Sequence, residues 1–341
     1  MSDTLEKRIH RWLGQTKLVK IYRKIRLEVL LPKYYAIKSK HTTFRHKLVI
    51  FLCPAKNLPL GGVKVIYNQT GIINRMNGQL KAKILHPFNP NFSCTWFEHD
   101  AAFKRDLGFD PQNDFVMIPE FWTVHHPRLL YNMGVRYGIY VQNGYAINRD
   151  NGEEVTFAYH NAALILAISD DTAECIKMAF PDCAARVHRV HCSVNPEKFI
   201  ANPKKENMIC YMPRKLRNHS QLVTFFLGKQ LPPQWSIKSI EGLSLPPIEA
   251  ALSGCHVIGY TGEAAKEYWD TELFTEIYCG DIKAFVKAVL NKIDEIERSP
   301  SVTHTAVIQN LANRYSAQVE LADMQFVANK VIEILNEVES V

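Results

Sequence analysis

Two glutamates eight positions apart, Glu241 and Glu249, bracket the run Glu241-Gly242-Leu243-Ser244-Leu245-Pro246-Pro247-Ile248-Glu249-Ala250. The run follows a short apolar stretch of strand type and opens one of helical type, so it covers a loop and the first turns of a helix. Both carboxylates can then face one ligand beyond the strand's carboxyl end, where open α/β sheets take their ligands. Carboxylates accept hydrogen bonds, so a hydroxyl-rich ligand is what such a pair suits. The structural alternative for Glu249 is an acid that is favourable near a helix N-terminus.

Other strand-to-helix turns carry chemistry of a related kind. Gly61-Gly62-Val63 follows the first strand, and glycines there let a ligand approach a helix N-terminus; alone, such a pair is as readily a tight turn. Met212-Pro213-Arg214-Lys215 follows a later strand, and its guanidinium and ammonium groups can neutralise a diphosphate leaving group. Arg214 leads; Lys215 is next, with Arg217 and His219 as rivals and an exposed basic loop as the plain alternative. In Gly259-Tyr260-Thr261-Gly262-Glu263-Ala264-Ala265 a strand turns into a helix whose N–H groups suit phosphate, which makes Thr261 and Gly262 candidates and requires Glu263 to point away. Glu120, in Pro119-Glu120-Phe121-Trp122, and Asn143 and Tyr145, in Gln142-Asn143-Gly144-Tyr145, follow strands and line the same cleft, for sugar or acceptor contact or for loop packing. His99, His125 and His126 are candidate catalytic histidines that the sequence does not separate. His160, beside a strand, reads as a core residue.

These turns need a parallel sheet to hold them. From Lys47 onward short apolar runs alternate with amphipathic stretches, the signature of βα units. Strands are predicted at 47–53, 81–86, 115–119, 138–142, 163–168 and 186–191, with helices at 63–77, 127–133 and 171–179. The alternation restarts with strands at 208–212, 235–240, 256–260 and 275–278, and helices at 217–228, 246–253, 264–268 and 282–297. Helices at 301–312 and 316–337 close the chain. The fold class is therefore α/β, as two tandem doubly wound domains facing a cleft. The boundaries predicted are an arm over 1–46, a first domain over 47–195, a second over 196–317, and a closing helix over 318–341 that can cross back. The hinge falls near Ser193–Lys205, where Asn, Pro and Lys cluster.

A chain of 341 residues with 47% hydrophobic and 22% charged residues can bury cores of that size, which excludes a disordered or collagen-like protein. No apolar run approaches membrane-spanning length, and the start of the chain lacks the apolar region of a secretory signal. The eight cysteines lie in apolar segments without metal-ligand spacing and read as buried thiols of a reducing cytoplasm. Of the net charge of +7, residues 1–46 carry 12 basic against 3 acidic, or +9, leaving 29 against 31, or −2, for the rest. Leu5, Ile9, Trp12, Val19, Tyr22 and Ile25 recur at helical spacing among those basic residues. Such an arm either lies on an anionic inner leaflet, making the protein peripheral to the membrane, or packs on the body. Nucleic acid is a poorer partner, since the remainder is slightly acidic.

The pattern E-G-x-x-L-P-x-x-E-A, followed by small residues, Gly254 and a hydrophobic strand, resembles the E-x7-E motif of the family 4 glycosyltransferases, over about residues 47–330. The resemblance implies the GT-B fold, two facing Rossmann-like domains, with a nucleotide-diphosphate sugar as donor and retention of anomeric configuration. It places Glu241 on the donor sugar and Glu249 on the ribose, with Leu245, Thr261 and Gly262 by the nucleotide and Gly61, Gly62, Arg214 and Lys215 by the diphosphate. The family's basic pair is normally several positions apart, so Lys215 departs from it. The segments around Glu120 and Tyr145 resemble the subgroup that builds bacterial surface polysaccharide. That implies a glycan or lipid-linked acceptor, met by Glu120, Asn143, Tyr145 and a first-domain histidine such as His99. No Asp-x-Asp triad occurs, in keeping with a metal-independent reaction and no cofactor beyond the donor. Only five residues separate Trp235 from Glu241, where relatives place a further helix and strand. Either that unit is deleted, or a segment belongs there that these residues do not include. Its loss would favour a catalytically inactive, membrane-associated binding partner; a nucleotide-sugar epimerase of similar shape is the other rival.

Overall fold

Apolar residues on both sides of each central strand dictate a sheet covered on two faces. The computed structural model describes residues 35–37, 46–76, 78–147, 152–199, 205–211, 216–239, 246–261, 265–269, 272–299 and 305–337. In chain order its first half contains β1 (Ala36–Ile37), β2 (Lys47–Leu52), α1 (Gly61–Arg75), β3 (Leu80–Leu85), β4 (Gly108–Phe109) and β5 (Asp114–Pro119). Then come α2 (Pro127–Asn132), β6 (Arg136–Val141), α3 (Glu153–Asn161), β7 (Leu164–Ala167), α4 (Asp170–Ala179) and β8 (Val187–Arg189). Six of these strands form one parallel sheet in the order β3-β2-β5-β6-β7-β8. Val49, Phe51, Phe115 and Met117 point to one face, and Ile50, Leu52, Val116 and Ile118 to the other. Because neighbouring residues face opposite layers, each strand reads as a continuous apolar run.

α1 buries Val63, Ile66, Tyr67 and Ile73 against the first face, at helical spacing. α4 begins where Ser169 accepts a hydrogen bond from the Thr172 N–H at 3.1 Å, an N-cap that a neighbouring pair of acids, Asp170 and Asp171, reinforces. The second half contains β9 (Met208–Tyr211), α5 (Arg217–Gln230), β10 (Ser236–Ser239), α6 (Pro246–Leu252), β11 (Val257–Gly259), β12 (Phe274–Glu276), α7 (Ile282–Arg298), α8 (Thr305–Arg314) and α9 (Ala317–Asn336). Its described strands form two parallel pairs, β9–β10 and β11–β12. Val223 and Leu227 of α5 pack with Val286 and Ile293 of α7 over both pairs, while α6 and α8 form a second cluster around Ile248, Leu252 and Leu311. α9 returns to the first half, where Met324, Val327, Val331 and Leu335 join the core beneath α1.

Several expectations are corrected. The stretch 264–268 is not a helix: among its described residues only a single 3-10 turn, Lys266–Tyr268, forms. α3 was not foreseen, because Tyr, His and Asn interrupt its apolar pattern. His160, at its end, is exposed and not a core residue. Cys53, Cys94, Cys183 and Cys192 are buried and Cys175 is half-buried, but Cys210, Cys255 and Cys279 are exposed. Cys210 is exposed because it alternates with Ile209, which takes the covered face of β9. The arm over 1–46 lies outside the described residues except for 35–37 and 46. Among the described residues no helix is long and apolar enough to cross a membrane.

Candidate functional site

The strand order reverses between β2 and β5, since the chain leaves β2 for β3 on one side and returns to β5 on the other. Such a switch point opens a crevice at the carboxyl ends of the two strands. α1 starts there at Gly61 and Gly62; its N-cap, Leu60, is extended and offers no side-chain cap. Leaving the first N–H groups of a helix without a side-chain partner keeps them available to an anion.

Gln142, just past β6, closes over this start. Its Nε2 donates to the Gly62 carbonyl at 3.2 Å, and a Cβ on Gly62 would lie only 2.2 Å from its Oε1. The backbone N–H of Gln142 donates to Oε2 of Glu120 at 3.3 Å. Glu120, at the end of β5, is 5% exposed, so its carboxylate braces the neighbouring loop from inside. Three strand ends are thereby tied together, and two of the sequence candidates, Gly62 and Glu120, meet through a residue whose part the sequence did not disclose. Beside them Asn143 caps a short turn by accepting from the Tyr145 N–H at 3.1 Å. That turn holds Tyr145 with its side chain 83% exposed.

Glu249 sits in the first turn of α6, half-buried. Burial raises its pKa above the usual carboxylate value, and the positive charge of Lys64, in the first turn of α1, works in the opposite direction. Glu249 of the second half therefore lies within electrostatic range of Lys64, in the helix that starts at Gly61 and Gly62. Thr261, past β11, donates its hydroxyl to Oε1 of Glu276 at 2.5 Å. Glu241, Arg214, Lys215, Leu245 and Gly262 lie outside the described residues. Of the basic rivals, Arg217 opens α5 exposed, and His219 stands edge-on to Tyr260 with ring centroids 5.8 Å apart. Leu216, between them and residues 212–215, has φ 49°, the one non-glycine residue in the left-handed region among those described. A leucine held there is strained by about 1 kcal/mol or more, a kind of outlier that clusters at functional loops.

The histidines separate. His126 is fully buried, its Nδ1 is 2.8 Å from the Tyr35 hydroxyl, and burial lowers its pKa to about 3. It is neutral at physiological pH and closed to substrate, so it is removed as a catalytic candidate. His99 is half-buried, its Nε2 3.2 Å from both Ser93 Oγ and the Cys94 carbonyl, and its ring is edge-on to Tyr67. His125 is half-buried beside the same turn as His126. His86, not singled out from sequence, donates from Nδ1 to the Cys53 carbonyl and accepts at Nε2 from the Tyr67 hydroxyl, both at 2.8 Å. Burial lowers its pKa to about 4, which suits that neutral tautomer.

Polar ties between the two halves were also missed. Glu267 of the second half accepts from Arg189 at 2.9 Å, from the Tyr315 hydroxyl at 2.8 Å and from the Asp170 N–H at 3.4 Å. Buried Glu320 of α9 accepts from Ser193, Asn68 and Gln69, and Asp323 pairs with His191 at 2.7 Å. Their partners are 48 to 252 positions away in sequence, so no local spacing marks them.

No protein-family model matches the chain, and no curated protein matches its sequence. Solved structures do match. HepE of Anabaena in complex with UDP-glucose superposes with a TM-score of 0.57 at 10% identity, over 86% of this chain and 100% of that one. Its complex with UDP gives 0.53 over the same shares at 10% identity. A glycosyltransferase of Rickettsia africae gives 0.52 at 10% identity, over 85% of this chain and 99% of that one. The fold is GT-B. At that identity the likeness carries architecture alone: two Rossmann-like halves.

Proposed function

We propose that the chain transfers a sugar from a nucleotide-diphosphate donor to a glycan or lipid-linked acceptor, retaining the anomeric configuration and needing no metal. The observation that supports this reading is the start of α1 at Gly61 and Gly62, without a side-chain cap at the switch point of the sheet, with Lys64 in electrostatic range of the half-buried Glu249. A helix start and an ammonium group suit a diphosphate, and an uncapped, half-buried carboxylate suits the ribose hydroxyls. The Anabaena relative of the same fold holds UDP and UDP-glucose, which supports a uridine nucleotide as the first donor to test. In this reading the diphosphate lies on Gly61, Gly62, Arg214 and Lys215, Glu241 orients the sugar, and Tyr145 and Asn143 face the acceptor. The leaving phosphate deprotonates the acceptor hydroxyl on the same face of the sugar. The acceptor belongs to a bacterial surface polysaccharide, and the basic arm over 1–46 holds the enzyme at the cytoplasmic face of the inner membrane.

Calorimetry and thermal shift against UDP, GDP, dTDP, ADP and CMP and their sugars, without added metal, test it. A ligand at 100 times its dissociation constant adds about 2.7 kcal/mol of stability. A response to one nucleotide, abolished in Glu249→Ala, is the expected result; a folded protein that answers to none defeats the reading. One observation favours a second reading, a non-catalytic binding partner: only five residues, 236–240, separate Trp235 from Glu241, too few for a further helix and strand.

A further inference from the structure

The turn between β5 and α2 rests on a residue that lies 91 positions before it. The Tyr35 hydroxyl is 2.8 Å from Nδ1 of His126, and both side chains are buried. Tyr35 is held there by its ring, edge-on to Phe109 at 5.0 Å, and by the pairing of β1 with β4, where the Ala36 N–H donates to the Leu107 carbonyl at 3.1 Å. On its other side His126 meets the indole of Trp122 with centroids 5.1 Å apart, and its N–H donates to the Trp122 carbonyl at 3.3 Å. Thr123 continues the run, its hydroxyl donating to the Glu120 carbonyl at 2.9 Å. Glu120 then receives the Gln142 N–H, and Gln142 holds the Gly62 carbonyl. An unbroken line of contacts thus leads from Tyr35 to the start of α1.

We propose that Tyr35 is a positioning residue: through His126 it fixes the 120–126 turn, and through Glu120 the tie between Gln142 and Gly62. Burial keeps both Tyr35 and His126 uncharged, so the link is a neutral hydrogen bond in a site closed to water. The consequence for catalysis rests on the glycosyl-transfer reading; the mechanical coupling does not.

The test is Tyr35→Phe in the full chain, which keeps the ring on Phe109 and removes only the hydroxyl. Val187→Ala, in the same core but on the far strand β8, serves as a control for general loss of stability. Amide hydrogen exchange is followed over 120–126 and 142–145, and steady-state transfer is followed with UDP-glucose. Tyr35→Phe is expected to speed exchange at 123, 125 and 126 about fivefold, the factor set by one neutral hydrogen bond. It is expected to lower kcat severalfold with KM for UDP-glucose changed less than about twofold, while Val187→Ala does neither. Exchange that is unchanged in Tyr35→Phe, or raised equally in both variants, overturns the coupling. A wild type that neither binds nor turns over any nucleotide sugar defeats the glycosyl-transfer reading instead, and the exchange comparison still decides the coupling.

Discussion

The side-chain amide of Gln142 lies directly over Gly62, donating to its carbonyl at 3.2 Å and filling the place that a Cβ would take. Glycine at position 62 is therefore demanded by a neighbouring side chain as well as by the cleft. The same amide brings the loop after β6 to the start of α1, so that the residues on which a donor would lie and those that would face an acceptor are held in one unit.

Replacing Gly62 by Ala pits two effects of similar size against each other. Alanine gains about 1 kcal/mol over glycine in a helix. The displaced Gln142 loses a hydrogen bond worth roughly 1 kcal/mol. Stability should change by less than about 1 kcal/mol, while affinity for UDP-glucose falls about tenfold because the loop moves. In a double-mutant cycle with Gln142→Ala the alanine at 62 should become stabilising, since nothing is left to displace. Urea denaturation of the four proteins measures this, and equal effects in both backgrounds would contradict it.

Glu249 should cost the unliganded protein stability at neutral pH. Its pKa is raised by burial, so the native state holds that proton more tightly than the unfolded chain. Stability then falls as pH rises from the unfolded carboxylate range, about 4.5, through the raised native value, the reverse of an ion-paired acid. Glu249→Gln should be more stable than wild type at pH 7.5 and indistinguishable from it at pH 4, while losing nucleotide binding. Denaturation midpoints at the two pH values check the sign. A variant less stable at pH 7.5 would show that Lys64 outweighs burial.

Where information is local, the sequence was legible. Each strand of the first sheet is an uninterrupted apolar run because both of its faces are buried, as at Phe115, Val116, Met117 and Ile118, so its position follows from composition alone. The turns after those strands follow from the same runs, and with them the positions of Gly61, Gly62 and Glu120. What escaped depends on contacts between distant positions. Gln142 is an ordinary amide until Gly62 is placed beneath it. His126 is as good a catalytic histidine as His99 until Tyr35, 91 residues earlier, is found on its ring. Glu320 occupies the first turn of a helix and looks like any solvated acid there. Only the return of α9 across α1 buries it.

Two buried histidines should make the protein sensitive to mild acid. His86 and His126 have native pKa values of about 4 and about 3, against about 6.5 when unfolded. Their contribution is complete above pH 6.5 and is lost as pH falls towards those native values, because the unfolded chain takes up protons that the native state refuses. Between pH 6.5 and 5 each should withdraw about 2 kcal/mol. His86→Gln keeps a donor for the Cys53 carbonyl and an acceptor for Tyr67. It should lose less stability than wild type over that interval, and parallel stability curves from pH 7 to 5 would refute the assignment.

The attachment of α9 to the first half should depend on Glu320 more than on any exposed ion pair. Its carboxyl group, 1% exposed, accepts from the Ser193 N–H at 3.2 Å, from the Ser193 hydroxyl at 2.5 Å, from Asn68 at 2.9 Å and from Gln69 at 3.2 Å. Burial raises its pKa and these donors lower it, burial being the larger influence. Glu320→Ala strands several buried donors at once, at a cost of about 3 kcal/mol. Glu320→Gln retains one acceptor oxygen and should cost about half as much. By contrast Lys330 and Glu333, an exposed pair on the same helix, contribute only a few tenths of a kcal/mol. Because Ser193 sits where the chain passes between the two halves, Glu320→Ala should also broaden their relative orientation, seen as a larger radius of gyration in solution scattering. A loss below about 1 kcal/mol with unchanged scattering would mean that α9 is held to the first half by its apolar face alone.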